Sequence, residues 1–320
     1  MSRFNWKGHG SMLAANAMWG LMSPVAKIVM AGGLVSPLVL TDLRIFGAMV
    51  LFWMLSFFQK PEHVHHKDMA KLLGASLLAI VFNQGCFIFG VGLTSPGDAS
   101  IITTSMPLWA MVLAAFFLKE PITGKKVLGI ALGAGGALLL IMGSNSTGQA
   151  TANGDHPIWG DLLVLTAQLS YALYIVLFKN FVQKYSLVTL MKWMFTYAFI
   201  CTLPFSYNDL MATDWSALTL PDIGSIAYVV TCGTFLCYML VVIGQKSLRP
   251  TVAGMYNYVQ PVVACIVSIC IGLDAFNFTK GLAIVLIFGG VYLVTISKSR
   301  KQLEAYENKK IKAETTEMSE

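Results

Sequence analysis

Charged residues are scarce in this sequence. Asp, Glu, Lys and Arg together make up 12% of the 320 residues, whereas hydrophobic residues make up 56%. Soluble domains contain roughly 25% charged residues, about twice as many. This balance excludes an ordinary soluble domain and predicts an integral membrane protein whose first partner is the lipid bilayer.

Motifs that bind metals or nucleotides are also lacking. The six cysteines form no C-x-x-C pair, which argues against a zinc site or a disulfide framework and favours packing roles. The loop His63-Val-His65-His66 has no supporting acidic or cysteine cluster, so we assign no metal ligands. Since no nucleotide-binding signature occurs, the sequence predicts neither a cofactor nor a self-contained ATP-driven pump.

Ten apolar runs are each long enough, at about 20 residues, to cross a bilayer as a helix. Their predicted limits are 11–31, 36–58, 69–92, 98–118, 124–142, 158–178, 187–206, 222–244, 251–272 and 278–297. Residues 144–157, rich in Gly, Ser, Thr and Asn, predict a linker between a first half (1–143) and a second half (158–297). A charged tail follows at 298–320.

Basic residues mark one side of the predicted spans, which we call the basic face. All but three of the 22 Lys and Arg residues lie there, the exceptions being Lys27, Arg44 and Lys280. The positive-inside rule makes this face cytoplasmic, so both termini are predicted to be cytoplasmic in a cell (inner) membrane, with the linker outside. The net charge of +6 thus reflects topology, and no nucleic-acid partner is predicted.

The two halves match each other at nearly fixed offsets. At an offset of 152 residues, Gly8, Trp19 and Lys27 match Gly160, Tyr171 and Lys179. At 154 the pairs are Gly90–Gly244, Pro96–Pro250, Ala99–Ala253, Pro107–Pro261, Glu120–Asp274, Lys126–Lys280, Gly135–Gly289 and Gly136–Gly290. Because each half has an odd number of spans, the second half is inverted. The predicted fold is all-α, with ten transmembrane helices in two inverted five-helix repeats around a central cavity.

These features resemble the EamA-type ten-helix permeases of the drug/metabolite transporter superfamily. The resemblance covers about residues 8–298 and rests on Ala14-Ala-Asn-Ala-Met-Trp-Gly20, Leu43-Arg-Ile-Phe46, the glycine-rich span 5, and the run Ala99…Pro107…Glu120 with its repeat Ala253…Pro261…Asp274. It implies a basket of ten helices whose cavity is lined chiefly by spans 1, 3, 4, 6, 8 and 9. It also implies secondary transport, often export, of small metabolites such as amino acids.

Polar groups inside the membrane are costly unless paired or wetted, so they are candidate substrate contacts. Pro261 in span 9 and Pro107 in span 4 each leave a backbone carbonyl free and predict a kink that faces the cavity. The candidate substrate-binding residues are Asn16, Trp19, Asn83, Gln84, Thr103, Trp109, Gln168, Tyr171, Tyr174, Tyr238, Tyr256, Asn257 and Gln260. Interhelical hydrogen bonding and apolar packing are the alternative roles.

Charged residues within the spans bear on energy coupling. Asp42, in the outer part of span 2, can pair with Lys27 or Arg44, either as a structural ion pair or in transport. Glu120 and Asp274 end equivalent spans, where we expect caps or gates. Since no carboxylate stands near the midplane, facilitated diffusion, exchange and weak proton coupling all stay open.

Two other function classes fit the sequence less well. A membrane enzyme would need paired carboxylates or a Ser/His/Asp constellation, which the sequence lacks, so we predict that the protein is not an enzyme. A membrane scaffold would not need an inverted repeat with polar residues at matched depth. We expect the glycines of spans 5 and 10 to serve helix packing or a homodimer contact rather than the small-molecule substrate.

Overall fold

Ten helical segments of the computed structural model correspond to the ten predicted spans. The structure describes residues 5–31, 33–93, 102–144, 157–270 and 277–297. The segments are α1 (Trp6–Ala31), α2 (Pro37–Phe57), α3 (66–93), α4 (Met106–Leu118), α5 (Gly124–Ser144), α6 (Pro157–Leu177), α7 (Leu187–Ala212), α8 (220–247), α9 (250–270) and α10 (Phe278–Thr295). Six of them, α2, α3, α6, α7, α8 and α10, are by length and composition able to cross a membrane. The predicted tail and most of the predicted linker lie outside the described ranges.

The helices pack in pairs that the internal repeat relates to one another. α2 packs on α7 and α5 on α10, and each of these pairs maps onto itself when the two halves are exchanged. α1 packs on α8 and α9, and α6 packs in the same way on α3 and α4. This is the pattern of two inverted repeats related by a pseudo-two-fold axis in the membrane plane. The predicted fold class is therefore confirmed.

Two hydrogen bonds locate this axis. Gln84 and Tyr238 are equivalent at the offset of 154, and Gln84 Nε2 lies 2.8 Å from the Tyr238 hydroxyl oxygen. Thr104 and Tyr258 are equivalent too, and the Tyr258 hydroxyl donates to the Thr104 carbonyl over 3.1 Å. Two symmetry-equivalent residues touch each other only next to a two-fold axis. Since that axis lies in the membrane plane, both bonds lie near the bilayer midplane.

Glycines allow the paired helices to approach closely. A Cβ atom at Gly290 would lie 2.4 Å from the Gly129 carbonyl oxygen, and one at Gly136 would lie 2.7 Å from that of Ala283. These two contacts of α5 with α10 are equivalent under the repeat. Gly135, by contrast, faces open space, with no atom within 4 Å of an added Cβ. Gly129, Gly136 and Gly290 therefore serve helix packing, while the homodimer contact stays a prediction.

A π-helical turn interrupts one helix in each half. It occupies Leu77–Phe82 in α3 and Thr231–Leu236 in α8, the same six positions at an offset of 154. Such turns widen the helix by one residue and are frequent at functional sites. Their shared position shows that the interruption belongs to the repeat itself.

A second interruption precedes each of the matched prolines. α4 begins at Met106 after a turn at 104–105, so Pro107 stands in its first turn. In α9 a 3-10 turn, Tyr256–Tyr258, precedes the segment that contains Pro261. Proline is tolerated in the first turn of a helix because the N–H it lacks has no intrahelical partner there. The predicted kinks are thus breaks just before the prolines.

Candidate functional site

The predicted residues of α1 and α9 meet across the two halves. Gln260 Nε2 lies 3.0 Å from Asn16 Oδ1, and the Asn16 amide donates to the Met12 carbonyl over 2.9 Å. Gly20, one turn along α1, makes room for α9, because a Cβ there would lie 2.8 Å from the Gln260 carbonyl oxygen. Asn16 is fully buried. The Gln260 side chain thus holds α1 against α9.

Trp19, Gln84 and Tyr238 form what we call the midplane cluster. Trp19 Nε1 donates over 3.0 Å to the carbonyl of Gly233, which belongs to the π-helical turn of α8. The Trp19 and Tyr238 rings meet edge to face with their centroids 5.8 Å apart. Gln84, bonded to Tyr238 on the axis, keeps its Oε1 buried without a hydrogen-bond partner among the described residues. A buried unpaired acceptor is costly, so this oxygen is available to a ligand.

The predicted residues of α6 form a buried aromatic face. The rings of Tyr171 and Tyr174 lie 6.0 Å apart, and the Tyr174 hydroxyl donates to Gln245 Oε1 in α8 over 3.1 Å. Gln168 is buried on the same helix. Tyr171 is the repeat equivalent of Trp19, so the two halves present an aromatic ring at matched positions of α1 and α6.

Two other candidates bond to neighbouring helices. The Asn83 amide donates to the Ala167 carbonyl of α6 over 2.9 Å, which is an interhelical bond. The Tyr256 hydroxyl lies 2.7 Å from Nδ1 of His9, near the basic end of α1. Both contacts tie neighbouring helices together.

The remaining candidates lie in or near the break of each half. Thr103 precedes the turn that breaks α4, and Asn257 stands in the 3-10 turn of α9. Trp109 packs against a hydrophobic core that both halves build, and its Nε1 is buried without a partner in the described ranges. Trp109 thus adds an unused donor on the helix that follows the break.

Asp42 and Arg44 do not form the ion pair that the sequence allows. Asp42 accepts hydrogen bonds from two hydroxyl groups of α7, those of Thr202 (2.6 Å) and Ser206. Arg44 instead donates from Nε to Thr234 Oγ1 of α8 over 3.0 Å. The physical reason is that residues two apart on a helix do not face each other.

Two charged residues named from the sequence cannot be placed. The side chain of Lys27 and the whole of Asp274 lie outside the part of the chain that the structure describes. The expected pairing of Asp42 with Lys27 therefore stays a prediction.

Glu120 is the centre of a buried charge cluster at the basic face. Its Oε2 accepts from Lys126 over 2.9 Å and from Thr251 over 3.4 Å, while Lys179 Nζ lies 3.5 Å from Oε1. Burial raises the pKa of Glu120, but the Lys126 hydrogen bond and the charges of Lys126, Lys179 and Arg249 outweigh it and lower the pKa overall. The carboxylate is therefore charged at physiological pH and ties α4, α5 and α9 to the segment after α6.

The interior groups among the described residues are suited to binding a ligand. Their amides and phenols bond to one another across helices, in the pairs Asn16–Gln260, Gln84–Tyr238 and Tyr174–Gln245. A ligand that enters between the halves would exchange these bonds for bonds to itself, at a small net free-energy cost. Such groups suit reversible binding near the midplane.

A sequence profile of the EamA-like transporter family matches residues 6–142 and 158–296. The chain belongs to this family. It is 27% identical over 299 residues to the uncharacterized transporter YetK of Bacillus subtilis (strain 168), covering 92% of this chain and 88% of that protein. It is 24% identical over 301 residues to the uncharacterized inner membrane transporter YedA of Escherichia coli (strain K12), covering 90% of each.

A solved crystal structure of another protein also resembles this EamA-like chain. The two agree with a TM-score of 0.71, over 90% of this chain and 96% of the other. At 16% identity this likeness supports the fold alone. The resemblance inferred from the sequence is confirmed, and the protein is a multi-pass membrane transporter.

Three features of this EamA-like site were not found from the sequence. No residue type marks a π-helical turn, and only the common offset of 154 could have paired the two. Gln245 lies 71 residues from Tyr174, and the contact follows from the packing of α6 beside α8. Arg44 lies beside the midplane cluster because its side of α2 faces α8, and the orientation of one helix against another follows from packing.

Proposed function

We propose that the protein is a secondary transporter that moves small metabolites such as amino acids across the cytoplasmic membrane by alternating access. The basic face is the cytoplasmic one, and export is the direction that the family resemblance implies. The observation that carries the proposal is the Gln84–Tyr238 hydrogen bond. It joins symmetry-equivalent residues at the midplane, between two helices with matched π-helical turns.

The inverted repeat supports alternating access on energetic grounds. The two halves have the same fold, so they can exchange their inner and outer roles and give two states of similar free energy. Interhelical hydrogen bonds within membranes contribute only about 0.6 kcal/mol each on average. A ligand with a modest preference for one state is then sufficient to shift the populations.

A transport assay tests the site. In liposomes that contain the full-length protein, we expect counterflow of labelled amino acids, with an initial rate roughly fivefold lower in Gln84→Ala and Gln260→Ala. Each variant loses a hydrogen-bonding amide at the midplane or at the α1–α9 contact, worth about 1 kcal/mol. Gln59→Ala is the matched control, because Gln59 is exposed in the loop after α2.

The same assay separates two ways in which the proposal can fail. Wild-type transport that neither glutamine variant changes would show that the substrate binds elsewhere. Wild-type liposomes that move no amino acid of a full panel would contradict the substrate class.

A further inference from the structure

Arg44, in the membrane-spanning helix α2, carries a positive charge that no carboxylate of the described residues pairs with. Among the described residues, the acidic side chains that form ion pairs are Asp68 and Glu120, and both pair with lysines. No acidic side chain of these residues lies within 4 Å of the Arg44 guanidinium. Asp42, two residues away, is bonded to α7 instead. The titratable side chains that neighbour Arg44 electrostatically are Tyr238 and Cys237. They are a phenol and a thiol, and both are neutral at physiological pH.

The guanidinium lies next to the midplane cluster. Its partner Thr234 belongs to the π-helical turn of α8, one turn before Tyr238. Gly47, one turn along α2, lets the two helices approach, because a Cβ there would lie 2.3 Å from Val230 Cγ1. Arg44 is thus held at the wide turn of α8, near the two-fold axis.

Most of the hydrogen-bond donors of Arg44 are unused. Only Nε has a hydrogen-bond partner in the described ranges, which leaves the N–H groups of Nη1 and Nη2 free. The side chain is only partly covered, so accessible space borders it. A guanidinium offers parallel donors that match the two oxygens of a carboxylate. An unbalanced charge at membrane depth is costly, and a bound anion relieves that cost.

We propose that Arg44 binds the carboxylate of the transported molecule, so that the substrates are small carboxylate-bearing metabolites, namely amino acids and related organic acids. This inference rests on the proposed function and adds the group that selects the substrate. Trp19 and Tyr238, beside the guanidinium, then offer ring surfaces to the rest of the molecule.

Competition with matched compounds tests this assignment. Counterflow of labelled L-phenylalanine and of L-leucine is measured in liposomes with unlabelled competitors that lack either the carboxylate (phenethylamine, isopentylamine) or the amine (3-phenylpropionate, 4-methylpentanoate). For wild type, we expect the acids to compete at least about tenfold better than the amines, because a charged hydrogen bond contributes about 1.5–3 kcal/mol. Ligand-induced melting shifts in detergent give a second readout that does not depend on transport.

Four variants distinguish binding from folding. Arg44→Gln should lower uptake roughly 10- to 100-fold and abolish the preference for acids. Arg44→Lys keeps the charge, and Thr234→Val keeps the arginine but removes its anchor, so both should retain the preference with weaker binding. Lys192→Gln is the net-charge control and should match wild type. It removes a positive charge on α7 that lies over the Trp53 ring of α2.

Each outcome supports or overturns the assignment. The role of Arg44 would be overturned if amines competed as well as acids in wild type. It would also be overturned if the preference for acids persisted in Arg44→Gln. Either result would leave the proposed transport function intact. Wild-type protein that neither moves nor binds either labelled amino acid would overturn both.

Discussion

Replacing Gly290 by leucine is expected to leave little folded protein. A Cβ atom at this position would lie 2.4 Å from the Gly129 carbonyl oxygen and 2.8 Å from the Gly133 nitrogen, both of them backbone atoms of α5. Backbone cannot rotate aside as a side chain can, so the two helices must separate. Overpacking costs about 1–3 kcal/mol, and we expect a loss at or above the upper end. The yield of monodisperse protein and its melting temperature in detergent measure the effect.

Gly289 supplies the control for this prediction. An added Cβ there meets no atom within 4 Å, so Gly289→Leu should behave like wild type although it carries the same new side chain one residue away. Gly136→Leu and Gly135→Leu repeat the comparison on α5. Equal yields and melting temperatures for Gly290→Leu and Gly289→Leu would mean that the α5–α10 contact is wrong.

Replacing Lys126 by methionine is expected to destabilise the protein by roughly 3 kcal/mol or more. The Lys126 side chain is 1% exposed and lies 2.9 Å from Glu120 Oε2, so its loss leaves a buried carboxylate with the more distant Lys179. Breaking a buried ion pair by removing one partner costs about 3–5 kcal/mol. The melting temperature in detergent is the measurement, and Lys125→Met, at an exposed neighbouring position, is the control.

A double variant sharpens this test. Glu120→Gln together with Lys126→Met removes both charges, and we expect it to recover much of the stability, because a neutral pair avoids the cost of an unpaired buried charge. A Lys126→Met protein as stable as Lys125→Met would show that the charge cluster around Glu120 does not hold the basic ends of the helices together.

The sequence predicted the fold well because its signals were long and duplicated. Apolar runs fix where helices lie, and the matches Pro107–Pro261 and Gly136–Gly290 fix the relation of the halves. The helix breaks before the prolines follow from the chemistry of proline. The π-helical turns do not, because no residue in Leu77–Phe82 or Thr231–Leu236 is specific to that conformation.

The candidate site was harder to predict because contacts depend on three-dimensional packing. Gln84 and Tyr238 were candidates for separate reasons, and their bond follows only from a two-fold axis that passes between them. Asn83, the neighbour of Gln84, points to the backbone of α6 instead. The sequence shows which residues are polar at membrane depth. The rotation of an α-helix by about 100° per residue decides which of them contact each other.

Accessibility of position 84 from both sides of the membrane tests alternating access most directly. Gln84→Cys is introduced into a protein whose six native cysteines are replaced by alanine, and right-side-out and inside-out vesicles are treated with a membrane-impermeant thiol reagent. Alternating access predicts labelling of this midplane position from either side, with both rates reduced by a saturating transported amino acid. Labelling from one side only, with or without amino acid, would contradict it.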